Sequence, residues 1–232
     1  MTPPASRGTN ELVATANALA PGQAGRRALT REAVFGVALR IIDHHGLGAL
    51  TIRRLAEDLG VGLPTLYSVA GGKKEILAGV VDLVFAEVPE HSPDDEQWEE
   101  SLFHLLVALH EQLIAHPAVA QLAVISRPFG AATARTQESV LDLLKAGRID
   151  ESQLVVAYTT LTSYVTGFTL LRISQAASER ARGEGLVDQA LLRQFPLETF
   201  PQLHALAPQL TNAELEARFG EGLRKLIRNL AE

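Results

Sequence analysis

The feature that leaves this chain the fewest folds is the run LTIRRLAEDLGVGLPTLY, from Leu50 to Tyr67. Thr51 offers a side-chain oxygen that can cap a first short helix. Gly60 can take the positive φ that ends it. Pro64 falls in the first turn of a second helix, where its missing N–H costs little. Ala56 is small where the two helices would cross. Leu55, Leu59, Val61, Leu66 and Val69 are apolar at the offsets that bury both inner faces. The pattern predicts a helix-turn-helix, whose second helix can lie in a DNA major groove. The competing reading is a helical hairpin inside some larger α bundle.

A net charge of −6 argues against nucleic acid until it is divided along the chain. Residues 22 to 75 hold eight Lys or Arg against five acids, a net +3, so the remainder carries −9. Positive charge therefore gathers around the motif, where phosphate attraction would need it. The rest of the composition, 47% hydrophobic in 232 residues, fits a globular chain with a sizeable core. No apolar run reaches the ~18 residues of a membrane span. The N-terminus lacks the h-region of a secretory signal, and a cytoplasmic location is expected. Without cysteine there is no disulfide frame, thiolate metal site or thiol nucleophile.

Residues 1 to 28 read as a mobile arm, with a short helix around Glu11 to Leu19 and Arg26-Arg27 near its end. Thr30 caps a helix with Val34, Val37, Ala38, Ile41 and Ile42 on one face, stopped by Gly46 and Gly48. A fourth helix, KKEILAGVVDLVFAEV, runs from Lys73 to just before Pro89. Ser92 and Pro93 are expected to start the next segment, which is strongly helical from Trp98 to His116. Further helices are expected over Pro117–Ser126, over Ala131–Ala146, and from an Asp150/Gln153 capping box to about Arg182. Residues 183 to 210, with two glycines and three prolines, are expected as loop with one short helix near Leu186 to Gln194. Thr211 and Glu214 form a second capping box that opens a final helix with Leu215, Phe219, Leu223, Leu226, Ile227 and Leu230 along it. No period-2 pattern competes, so the fold class is all-α. The expected domains are an arm (1–28), a three-helix helix-turn-helix head (29–75) and a larger helical-bundle domain for effector binding and dimerisation (76–232).

From about Leu29 to Leu77 the head resembles the TetR family of bacterial transcriptional repressors. The shared spacings are Leu-Gly-Val, Pro64-Thr65-Leu66-Tyr67 and Lys73 opening the fourth helix. The remainder resembles the ligand-binding domain of the tetracycline repressor's branch, through Trp98, Ser126-Arg127-Pro128, Tyr164-x-x-Gly167-Phe168 and the closing amphipathic helix. The resemblance implies a homodimer whose third helices enter major grooves of a near-palindromic operator, with a small effector releasing the DNA. Activation in place of repression stays open. The alternative from another class is an all-α small-molecule-sequestering protein without specific DNA readout.

Carried onto this chain, the resemblance makes Arg53 a base reader, bidentate to guanine. Thr65 and the backbone at Leu63 and Pro64 would face base edges or thymine methyls. Thr51, Tyr67 and Lys73 would hold phosphates. The chain departs from the family at Val69-Ala70 and Gly71-Gly72, which imply a weaker start to the fourth helix. Gly62, Leu63 and Ser68 differ from the tetracycline repressor at recognition positions, so its operator does not transfer. Leu105, Leu109 and Ala123 stand where polar residues grip tetracycline and its magnesium, and Pro89 replaces a histidine. The expected effector is therefore apolar or aromatic and metal-free. Its expected lining is Phe103, Leu105, Leu109, His110, Arg127, Phe129, Tyr158, Thr162 and Phe168, each with core packing as the simpler role.

His104, His110 and His116 step by six residues and do not share a helix face, so no metal site is expected. No phosphate loop, nucleophile elbow or H-E-x-x-H is present, and neither a cofactor nor an enzymatic activity is expected. The long helix and the last one carry broad apolar faces that a two-fold four-helix bundle would cover. Glutamate at Leu223 or Leu226 is accordingly expected to give monomers.

Overall fold

The structure, a computed structural model, describes residues 29–90, 97–126, 130–182, 193–210 and 215–230. Among these the regular structure is ten α-helices, one 3-10 turn and no strand. In chain order they are α1 (Arg31–His45), α2 (Ile52–Leu59), α3 (Leu63–Ala70), α4 (Lys73–Phe85), α5 (Trp98–Ala115), α6 (Pro117–Ser126), α7 (Ala131–Ala146), α8 (Glu151–Arg182), α9 (Pro201–Leu210) and α10 (Leu215–Leu230). They gather into two compact units, one of residues 1–92 with 111–140 and another of residues 93–110 with 141–232.

The first unit is built on α1 and α4. Thr30 caps α1 by accepting from the Ala33 N–H at 3.2 Å. Val34, Ala38, Ile41 and Ile42 on α1 are buried with Ile76, Val80, Val81 and Val84 on α4. Their approach is close: a Cβ at Gly79 would fall 2.2 Å from the Phe35 ring, so only glycine fits there. Val119 and Leu122 of α6 join the same core. Two polar contacts tie further elements to the pair. His116, just before α6, bonds through Nδ1 to Asp43 of α1 at 2.9 Å. Asp82 of α4 accepts from both the backbone N–H and the hydroxyl of Thr133, at 2.9 and 3.1 Å. A carboxylate from another helix thus serves an orphan N–H at the start of α7.

In the second unit, α8 buries Leu154, Ala157, Leu161, Val165 and Thr169, and α10 buries Phe219, Leu223 and Ile227. Arg224 of α10 forms a bidentate pair with Glu100 of α5, its second contact 3.0 Å long, and lies 3.7 Å above the Phe103 ring.

Several expectations are corrected. The fourth helix ends at Phe85, three residues before Val88, with Ala86–Val88 continuing as turns. Residues 201–210 form a helix, not a loop. Pro201 occupies its first position, where proline is favoured, and His204 Nε2 meets the Phe195 carbonyl at 2.9 Å. Leu223 is fully buried against its own chain, so glutamate there would attack the fold before any dimer. One helical stretch, Glu151–Ala177, is long and apolar enough to cross a membrane, with mean hydropathy 1.4. Its Leu154, Leu161 and Val165 are core of the second unit, whereas Val155, Val156 and Leu171 are exposed. The N-terminal arm, the Ser92–Pro93 start, most of the helix expected near 186–194 and the Thr211/Glu214 box lie outside the described residues.

Candidate nucleic-acid interface and ligand site

The helix-turn-helix is held by short-range bonds that its sequence spells out. Thr51 Oγ1 accepts from the Arg54 N–H at 3.1 Å, capping α2. Gly60 ends α2 at φ 65°, ψ 31°, and the Val61 N–H reaches back to the Ala56 carbonyl at 3.0 Å. That bond closes the turn in the Schellman manner. Pro64 is in the first turn of α3. Leu55, Ala56, Leu66 and Ala70 are buried where the two helices meet.

What remains outside is the candidate interface. Along α3, Leu63, Pro64, Thr65, Tyr67 and Ser68 are all exposed, with Leu63 at 43% and Tyr67 at 52%. An exposed leucine and tyrosine on one short helix cost hydrophobic free energy in water and suit a surface that will be covered. Arg53 projects from α2 with its side chain 86% exposed, and its Nε lies 3.1 Å from Glu57. That pairing engages Nε and leaves the two terminal nitrogens clear of this contact. Arg54 is less exposed and faces Asp58 at 3.9 Å. Thr51 and Lys73 are also exposed, Lys73 as the first residue of α4. The glycine pair before α4 is not left open: Glu75 accepts from the Gly72 N–H at 3.0 Å, half of a capping box.

The residues expected to line an effector site fall into four sets. Arg127 and Phe129 lie outside the described residues. Leu105 and Leu109 are buried apolar side chains of α5, and Thr162 donates to the Tyr158 carbonyl at 2.7 Å, one turn back along α8. His110 and Phe168 come together, ring edge to ring face, with centroids 6.3 Å apart. Phe103 turns instead to Arg224 and the backbone of Gly220.

Around His110 and Phe168 stands an aromatic cluster that the sequence reading missed. Phe219 stacks on the His110 imidazole at 4.0 Å and lies 5.3 Å from Phe168 and 5.7 Å from Tyr164. The Tyr164 hydroxyl donates to the Phe219 carbonyl at 3.0 Å. A Cβ at Gly222 would sit 2.2 Å from that hydroxyl, so glycine admits the tyrosine. Burial pushes the Tyr164 and Tyr158 phenols up from their ordinary pKa. His110 is itself buried, with Nδ1 2.8 Å from the Thr169 hydroxyl. That hydroxyl gives its proton to the Val165 carbonyl at 2.7 Å. It must then accept from His110, which fixes the imidazole proton on Nδ1. Two turns past Phe168 on the same face of α8, Gln175 is buried with neither amide atom partnered.

The signals for this cluster were present but thin. Tyr164 and Phe168 are four apart on one helix, and Gln175 interrupts an apolar face. Nothing local joins them to His110 or Phe219. The other histidines have separate partners, His104 with Glu100 and His116 with Asp43. Among the described residues no three His, Cys, Asp or Glu gather as metal ligands would.

Both parts of the chain have counterparts in known proteins. Residues 35–80 match the bacterial regulatory proteins of the tetR family, and residues 91–232 match the tetracyclin repressor-like C-terminal domain. The chain is 28% identical over 225 residues to the HTH-type transcriptional repressor DrrR1 of Streptomyces coeruleorubidus, covering 90% of this chain and 80% of that one. It is 29% identical to the class A tetracycline repressor from transposon 1721 of Escherichia coli, over 88% of this chain and 91% of that protein. Among solved structures, ActR of Streptomyces coelicolor in complex with actinorhodin superposes with a TM-score of 0.78 at 30% identity, covering 88% of this chain and 96% of ActR. With both of its parts matched, the chain belongs to the TetR family of bacterial transcriptional regulators, which are DNA-binding proteins and not enzymes.

Proposed function

We propose that this protein is a dimeric cytoplasmic repressor, released from a near-palindromic operator by an apolar or aromatic small molecule. The observation that carries the reading is the outer face of α3. Leu63, Pro64, Thr65 and Tyr67 stand exposed on a helix fixed from beneath by Leu66 and Ala70. Arg53 reads a guanine beside them, and Leu63, Pro64 and Thr65 meet base edges or thymine methyls. Thr51, Tyr67 and Lys73 hold phosphates and set the register. Residues 29–75 serve reading and residues 76–232 serve effector binding and dimerisation.

The effector is received among the aromatic side chains of the second unit, with His110 and Phe168 its first contacts. Leu105, Leu109, Tyr158 and Thr162 contribute shape. The crystallised complex of ActR with actinorhodin, a relative of 30% identity, supports a small-molecule signal. For the dimer, the support is a set of exposed apolar side chains on α8: Val155 is 69% exposed, and Val156 and Leu171 are exposed with it. Glutamate at Val155 and Val156 together should give monomers by light scattering, with weak operator binding.

The test is selection of bound duplexes from a random DNA pool at ~0.15 M salt, near physiological strength. A near-palindromic enriched site is the expected result, and it supplies the probe for an effector screen by release. Salt-sensitive binding with no enriched sequence would overturn the operator reading.

A further inference from the structure

The least comfortable group among the described residues is the side-chain amide of Gln175. The residue is 5% exposed, and both Nε2 and Oε1 lack a hydrogen-bond partner. Burying an amide with neither end satisfied is costly, and native chains rarely leave one so without a reason. Its place on the helix gives the reason a chemical form. Gln175 follows Phe168 by seven residues and Tyr164 by eleven, spacings that return to within about 20° of one direction on an α-helix. The stripe thus carries two half-buried aromatic rings, both in contact with Phe219, and then one neutral group with a donor and an acceptor side by side.

We propose that Gln175 is the polar recognition residue of the effector site: its amide pairs with the donor–acceptor edge of an aromatic carboxamide or lactam stacked on Phe168. This rests on the reading of the second unit as an effector domain and names the class of molecule it takes. The complement of an amide edge is another amide edge, donor to acceptor and acceptor to donor. A carboxylate would serve Nε2 and set its charge against Oε1. A hydrocarbon would leave both atoms as they are. Specificity of this kind is strong because a ligand lacking the pair leaves buried polar atoms unmet. The His110 imidazole cannot take this role through Nδ1, which already gives its proton to Thr169.

The experiment is equilibrium dialysis of the full chain, wild type and Gln175→Met, against 2-naphthamide and 2-acetylnaphthalene, which keeps the carbonyl and lacks the donor. Wild type should hold 2-naphthamide about tenfold more tightly, the worth of one well-placed hydrogen bond in a dry site. Q175M should bind the two compounds equally and melt a few degrees higher without ligand, because an unmet amide has been removed. A lower Tm for Q175M would show that the amide is already satisfied in the unliganded protein and would overturn the proposal. Equal retention of both compounds by wild type would overturn the role of Gln175 while leaving an aromatic effector site in place. Retention of neither would overturn both together.

Discussion

The helix-turn-helix and the aromatic cluster of the second unit bury similar kinds of side chain by opposite routes. In the head, the bonds that fix the shape join near neighbours: Thr51 to Arg54, Gly72 to Glu75, and Val61 to Ala56. In the cluster, the joined residues are far apart, His110 with Thr169 at 59 positions and Tyr164 with Phe219 at 55. The head therefore keeps its working face outside, on a short helix whose interior is dry and small. The cluster turns its polar atoms inward, where each one must find a partner. A reading surface can be built locally. A binding site for a small molecule has to be assembled from several helices.

The largest break in that comparison should come from Phe219. It is nearly fully buried and touches His110, Tyr164 and Phe168. Phe219→Ala should cost ~3–5 kcal/mol, combining lost transfer free energy with a cavity. Denaturant midpoints measure it directly, and a change under ~1 kcal/mol would mean that the cluster is not a cohesive core. In the head, adjacent positions should separate cleanly. Leu66→Ala, at a fully buried site, should cost ~2–5 kcal/mol. Tyr67→Ala, at a half-exposed one, should change stability by no more than ~0.5 kcal/mol and weaken DNA binding instead. If both fell mainly on stability, the exposed side of α3 would be structural.

These contrasts explain what the sequence could carry. Thr30, Thr51, Gly60 and Pro64 are each legible because a cap or turn needs a particular residue type within three or four positions. All the helices from α1 to α8 follow from such signals and from 3.6-residue periodicity. α9 does not, because proline normally counts against a helix, and only its position at the first turn reverses that weight. Leu223 was assigned to a dimer face for a related reason. Periodicity reports that a face is apolar, and not whether its own chain or another covers it. Phe219 and Thr169 were invisible as a site because the residues they join lie more than fifty positions away, and Gln175 because its burial follows from packing that no local pattern reports.

Arg53 sharpens the comparison at a smaller scale. Its pair with Glu57 is exposed on both sides and contributes little to stability, ~0.3–0.5 kcal/mol for such i, i+4 contacts. Arg53→Ala should therefore leave the fold intact and cost ~1–3 kcal/mol in operator binding, with specificity relaxed at one base per half-site. Binding to the selected site and to single-base variants decides the matter. Equal loss on every sequence would make Arg53 a phosphate contact.

The smallest effect belongs to the second unit and appears only in acid. The Arg224 guanidinium, through its hydrogen bonds and charge, holds the Glu100 carboxyl below its ordinary value of 4.5, and His104 adds to this when protonated. A carboxylate whose pKa is lower in the folded state contributes stability that is complete above the unfolded value. That contribution is lost as the pH falls through the lower, folded value. The window therefore opens near 4.5 and extends downward. Both side chains are more than two-fifths exposed, so water and salt screen the pair and the contribution is small. Glu100→Gln should lower the denaturant midpoint slightly at pH 7 and flatten its decline below pH ~4.5, where wild type loses the same interaction by protonation. Raising the salt to ~1 M should bring the two proteins together at neutral pH. If the gap between them persisted unchanged in salt and in acid, the pair would act through the packing of Arg224 on Phe103 and not through its charge.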